Sequence, residues 1–118
     1  MSDTTMTVMT ARLTGGRVRA EQLAEWIKYG PAPLIIDVRE AWEFACGAVP
    51  QAVNLPVSNP RHLVDHIPDE GLVILVCGDG VLSYEAGRML EFCGFRNVVS
   101  LHGGMKEWGA SRAALLAA

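Results

Sequence analysis

The sequence predicts a three-layer α/β fold, a parallel sheet covered by helices on both faces. Two observations carry this. Short apolar segments alternate along the chain with segments of helical period. The clearest of the short segments, PLIIDV at 33–38, LVILV at 72–76 and NVVSL at 97–101, are almost continuously apolar instead of alternating with polar residues. A strand apolar on both sides must be covered on both sides, which helix-linked parallel strands achieve. Size and composition agree: 118 residues, 50% of them hydrophobic and 19% charged, make one well-packed domain with no room for a second.

The elements follow in order. Residues 1–16 are rich in Thr, Ser and Gly, lack any period and read as a flexible N-terminal leader, so the domain is expected over 17–118. Val18 marks a short strand. AEQLAEWIKYG places Leu23, Trp26 and Ile27 at helical spacing before Gly30 and Pro31 stop the helix. PLIIDV is a strand ending at Asp37. Glu40 to Phe44 suit a short helix and Ala52 to Leu55 a short strand. SNPRHLVDHI reads as a polar helix, with Ser58 or Asn59 as N-cap and Pro60 at the first helical position. LVILV is a buried strand, Ser83 to Cys93 an amphipathic helix closed by Gly94, NVVSL a further strand and GGMKEWGASRAALL a final helix.

Charge and cysteine usage exclude several function classes. A net charge of −3, with ten Lys and Arg scattered along the chain, offers no basic stripe to nucleic acid. No apolar run approaches the ~18 residues of a membrane span, and MSDTTMTVMTARL lacks a basic leader, so no membrane partner and a cytoplasmic location are expected. Cys46, Cys77 and Cys93 are odd in number and form no CxxC pair, which suggests neither a disulfide framework nor a thiolate metal site. His62 and His66, four residues apart, share a face of the expected helix, but no third ligand accompanies them and a solvated face is the simpler reading. No metal or organic cofactor is implied.

Attention therefore falls on VCGDGVLS at 76–83, where a cysteine sits between a buried strand and a helix. Ligands of parallel α/β sheets bind outside the carboxyl ends of the strands, which is where Cys77 stands. Gly78 and Gly80 permit positive φ, so successive N–H groups can turn inward around the sulfur as an anion nest. The positive end of the following helix dipole adds to this, and both favour a thiolate. A nucleophilic Cys77 cradled by the backbone of Gly78, Asp79, Gly80, Val81, Leu82 and Ser83 is the expectation. Asp79 either accepts N–H bonds within the turn or takes part in substrate choice.

Four separated segments, LIIDVREAWEF, GAVPQAVNLP, VCGDGVLS and GFRNVVSLHGGMKEW, together resemble a single-domain rhodanese, the sulfurtransferase family, from Arg17 to Trp108. The resemblance implies a five-stranded parallel sheet and a reaction in which a sulfane sulfur passes from a donor onto Cys77 as a persulfide, then to a thiol or other nucleophile. The implied partners are a small-molecule or protein persulfide donor and a thiol acceptor. The active family loop resembles Cys-Arg-Ser-Gly-x-Arg-Ser. Here Gly78 and Leu82 stand at the arginine positions and Asp79 at the first serine position, so thiosulfate is expected to be a poor donor. Bringing an anion into contact with Asp79 costs on the order of 1 to 4 kcal/mol.

Asp37 and Arg39 match the family's Asp-x-Arg element and are expected to pair, bracing the loops. Cys46, in the loop after the second strand, is a candidate resolving thiol or a bystander. Cys93 is expected to fill the core, as are Trp26, Trp42 and Trp108. A phosphatase of the related cysteine type would need Cys-x5-Arg, and Ser83 occupies the arginine position. A sulfurtransferase or persulfide carrier therefore stands against one alternative, a rhodanese-fold binding or redox-sensing module with an idle thiol.

Overall fold

The computed structural model describes residues 15–111. Five strands, β1 (Arg17–Val18), β2 (Leu34–Asp37), β3 (Val53–Asn54), β4 (Val73–Val76) and β5 (Val98–Leu101), form one sheet in the order β1-β5-β4-β2-β3. Every neighbouring pair is parallel. The helices between them are α1 (Ala20–Tyr29), α2 (Ala41–Ala45), a 3₁₀ helix (Pro60–Asp65), α3 (Val81–Phe92) and α4 (Gly104–Ala110). The expected leader lies almost wholly outside the described residues. Sheet hydrogen bonding extends one residue before Arg17, since the Gly16 carbonyl accepts the Ser100 N–H at 2.8 Å.

The two faces of the sheet separate the core into two clusters, as the period of two along each strand demands. On one face Ile35, Ile74, Val76, Val99 and Leu101 meet Leu23, Ala24 and Ile27 of α1 and Trp108 of α4. On the other, Ile36, Val73, Leu75, Cys77 and Val98 meet Ala86 and Leu90 of α3 and Leu63 of the 3₁₀ helix. β4 is the middle strand, and all four of its residues are buried. Complete burial of an aliphatic side chain stabilises the fold by roughly 1.5 to 3 kcal/mol, which is what each residue of the uninterrupted apolar run VILV contributes at the middle of the sheet.

Local chemistry sets the helix ends. α1 stops at Gly30, whose φ of 69° continues no helix. The carboxylates of Glu40 and Glu43 form a reciprocal capping box that starts α2. Asn59, not Ser58, caps the next helix by accepting the Arg61 N–H at 3.0 Å. That helix is 3₁₀ instead of α, with His62 N–H on the Asn59 carbonyl, and it ends before His66, its C-cap. Three residues per turn separate positions i and i+4 around the axis, so His62 and His66 do not share a helix face. Among the described residues no three His, Cys, Asp or Glu side chains are grouped to hold a metal ion.

Two packing expectations are corrected. Cys93 is exposed because α3 ends at Phe92, which leaves the cysteine as C-cap beyond the apolar stripe. Trp42 is 70% exposed. Its helix has five residues and none is buried. Trp26 is half-buried against the first cluster and Trp108 lies within it, as expected.

Candidate active site around Cys77

Cys77 follows the last residue of β4 and is 4% exposed. Alternation along the strand sends its side chain to the α3 face, where Leu75 and Cys77 belong to one cluster. The Gly80 N–H donates to its sulfur at 3.1 Å and the Ser83 N–H at 3.3 Å. The thiol also meets the Ser83 hydroxyl at 3.3 Å and lies 3.9 Å from Asp79 Oδ1.

This cradle is narrower than the sequence suggests. Of the backbone groups of residues 78–83, those of Gly80 and Ser83 reach the sulfur. The Val81 N–H is turned to Asp79 Oδ1 at 3.0 Å, so Asp79 does accept a turn bond. Only Gly80 of the two loop glycines has positive φ, 85°, and it serves as N-cap of α3. Gly78 lies outside the left-handed region, against expectation, and the space a Cβ would enter there is open. α3 consequently begins at Val81, two residues earlier than its sequence pattern suggests.

The loop is held from behind by the start of α4. The Met105 N–H donates to the Cys77 carbonyl and the Lys106 N–H to the Gly78 carbonyl, both at 2.9 Å. This contact explains the paired glycines of the GGM segment. A Cβ on Gly104 would run into the Cys77 carbonyl oxygen, and one on Gly80 would stand 2.7 Å from the Gly103 nitrogen. Two backbones this close leave no room for side chains.

The facing wall comes from β2, the neighbour of β4. Asp37 is fully buried and opposes Val76 in the ladder. Arg39 grips its carboxylate with Nε at 3.0 Å to Oδ1 and Nη2 at 2.8 Å to Oδ2, while Nη2 also reaches the Gly47 carbonyl at 2.7 Å. The expected ion pair is therefore present. Hydrogen bonding to Asp37 raises the Arg39 pKa above its ordinary value, so the guanidinium stays charged. Between the walls lies a cleft of about 220 Å³, lined by Val38, Arg39, Glu40, Glu43, Val57, Cys77, Gly78, Asp79 and Leu82. Gly80, Val81 and Ser83 of the expected site belong to the loop but not to that lining. Cys46 is exposed at the end of α2 and is likewise not part of it.

Two contributions escaped sequence reasoning. Ser100, fully buried in β5, has its hydroxyl 2.6 Å from that of Ser83, so two hydroxyls stand in line behind the sulfur. The signal was a single polar residue in an otherwise apolar interior strand. Glu40 and Glu43 reach the cleft only because β2 and β4 are adjacent, which no local pattern reveals.

Comparison with known proteins defines the class. The rhodanese-like domain model matches residues 19–111. A sulfurtransferase of Allochromatium vinosum is 30% identical over 91 residues, 77% of this chain and 85% of that protein. The thiosulfate sulfurtransferase GlpE of Shewanella oneidensis is 32% identical over 79 residues, 67% of this chain and 78% of that protein. A rhodanese-related protein from Thermoplasma volcanium superposes with a TM-score of 0.69 at 29% identity, covering 80% of this chain and 90% of that one. The chain belongs to the rhodanese-like family, and its parallel five-stranded sheet is the fold the sequence led us to expect. No helix among the described residues is long and apolar enough to cross a membrane.

Proposed function

We propose that the chain is a sulfurtransferase, or persulfide carrier, in which Cys77 takes a sulfane sulfur and hands it to a nucleophilic acceptor. The observation that carries this reading is that Cys77 lines a cleft and has two backbone N–H groups directed at its sulfur. Those donors suit a thiolate and, after transfer, a persulfide, because each bears negative charge that fixed amide dipoles stabilise without reorganising. The likeness to proteins named sulfurtransferases supports the same chemistry.

In the first half-reaction the Cys77 thiolate attacks the outer sulfur of a donor R–S–SH. A bond forms between Cys77 Sγ and that sulfur, the donor S–S bond breaks, and R–S⁻ leaves with the electron pair. In the second, an acceptor thiolate attacks the outer sulfur and Cys77 leaves as thiolate. No net oxidation occurs. Thiosulfate would use the same path with sulfite as leaving group, but it must approach Asp79 with no free cation beside it, so we assign it as a poor donor.

The test is intact-mass spectrometry of the protein after incubation with a low-molecular-weight persulfide, followed by peptide mapping. Expected is one added sulfur on the Cys77 peptide that disappears on addition of a thiol, and no such adduct there in Cys77→Ser. A folded wild-type protein that never gains or yields sulfur at Cys77 would overturn the proposal in favour of a binding or redox-sensing module.

A further inference from the structure

The charged residues lining the cleft are Arg39, Glu40, Glu43 and Asp79. Arg39 offers little to a ligand, since its Nε and Nη2 are engaged by Asp37 and the Gly47 carbonyl. Asp37 also cancels its charge at 2.8 Å. Glu40, Glu43 and Asp79 enter neither of the ion pairs found among the described residues. The Cys77 sulfur is therefore approached past three carboxylates with no free cation among the lining side chains. The apolar part of the site is open: Leu82, which lines the cleft with Val38 and Val57, and Val81 beside it are both exposed where α3 begins.

Resting on the reading of Cys77 as the sulfur-bearing residue, we infer that the cleft selects a partner whose reacting sulfur is a cysteine flanked by lysine or arginine on a protein segment. Carboxylates around a partly enclosed space attract ammonium and guanidinium groups and repel oxyanions, and the attraction grows as water is displaced. A low-molecular-weight cationic thiol would satisfy the carboxylates but leave this apolar part uncovered. A peptide segment covers both. The segment's cysteine persulfide delivers its outer sulfur to Cys77 and leaves as a thiolate, or its thiolate attacks loaded Cys77 and carries the sulfur away as a persulfide.

Charge selection is measured without sulfur transfer by labelling the full chain with three alkyl methanethiosulfonates, bearing trimethylammonium, methyl or sulfonate groups. In each case the Cys77 thiolate forms a mixed disulfide and methanesulfinate leaves. Rates at the Cys77 peptide are divided by those for free 2-mercaptoethanol. At low salt the cationic reagent is expected to exceed the anionic one by about tenfold or more after this correction, and the preference should shrink toward about twofold at 1 M salt. Asp79→Asn should remove the largest share, because its carboxylate lies nearest the sulfur, 3.9 Å away. Glu40→Gln with Glu43→Gln, which keeps oxygen acceptors for the capping box, should remove most of the rest. A corrected ratio of one or less, or one unmoved by these variants, overturns the inference.

The partner class is read from wild-type protein loaded with sulfur at Cys77 and offered the peptides Gly-Lys-Cys-Lys-Gly and Gly-Glu-Cys-Glu-Gly, or cysteamine. Faster unloading by the lysine peptide than by either competitor is expected. Equal rates for cysteamine and the lysine peptide would overturn the protein-segment assignment. Charge-selective labelling of a Cys77 that never accepts sulfur would instead defeat the sulfur-transfer reading while leaving the selectivity intact.

Discussion

β2 and β4 lie side by side, with Asp37 opposite Val76, and both end at the same edge of the sheet, yet they close differently. At the end of β2 a cation and an anion satisfy one another: Arg39 and Asp37 share three side-chain contacts of 3.1 Å or less, and the carboxylate is fully buried. At the end of β4 the sulfur receives two N–H groups and has no cation for a partner. One strand end holds charge that is already used, and the other holds dipoles directed at a reactive atom. A basic residue in a cleft is therefore not an anion-binding residue until its own partners have been counted. Counted that way, this family member has no free guanidinium in its cleft.

The largest test of that comparison removes the anion from the β2 end. Asp37→Asn leaves a guanidinium without its counter-charge and should destabilise the domain by about 3 kcal/mol. That is the lower end of the range for breaking a buried pair, because Arg39 can swing into the open cleft. Urea unfolding of both proteins, compared at equal m-value, measures it. A loss under ~1 kcal/mol would mean that the pair is effectively solvated and that the two strand ends are more alike than their geometry shows.

A somewhat smaller effect is expected from giving the β4 end the free cations it lacks. Leu82 lines the cleft, and Gly78 has open space and no positive φ, so Gly78→Arg with Leu82→Arg should be accommodated without backbone strain. Charge-assisted hydrogen bonds to an oxyanion are worth roughly 1.5 to 3 kcal/mol each. Two of them, opposed by Asp79, should raise thiosulfate kcat/KM by about 100-fold. Steady-state assays of wild type, Leu82→Arg and the double variant read this out. Failure of both variants to gain activity, with Cys77 still open to labelling, would show that missing charge is not what limits thiosulfate.

Much of this was legible in the sequence, and the misses have physical causes. Continuous apolar runs such as VILV announce a doubly covered strand, and the four matching segments lead to Cys77 at the end of β4 and to Asp37 and Arg39, which do form an ion pair. Boundaries failed where one backbone angle decides: Gly80, not Gly78, takes the left-handed conformation, which starts α3 at Val81. Cys93 continues the chain of α3 but falls past its last turn, and Trp42 sits on a helix too short to bury any residue. Glu40, Glu43 and Ser100 were out of reach for another reason. Their relation to Cys77 runs across strands β2, β4 and β5, and only the sheet order supplies it.

Ser100 gives the smallest expected effect and the finest distinction between the strand ends. Its hydroxyl touches Ser83 at 2.6 Å, and Ser83 touches the sulfur at 3.3 Å, all within a buried environment. When the sulfur carries negative charge, the Ser83 hydroxyl can rotate to donate to it while the Ser100 hydroxyl donates to Ser83. Each link then polarises the next. Ser100 is a positioning residue in this scheme, since it meets neither cleft nor sulfur. Loss of one such hydrogen bond is worth about 1 kcal/mol, so Ser100→Ala should slow sulfur uptake by Cys77 roughly fivefold and leave KM near its wild-type value. A residue that merely packs would give a similar loss of stability, so stability alone decides nothing. The deciding measurement is the double variant with Ser83→Ala. If the hydroxyls act as one chain, Ser83→Ala alone and the double variant should transfer sulfur at the same rate, because breaking the first link makes the second irrelevant. Strictly multiplicative losses would show that Ser100 supports the fold without reaching the sulfur, leaving the two backbone N–H groups and the Ser83 hydroxyl as the cradle.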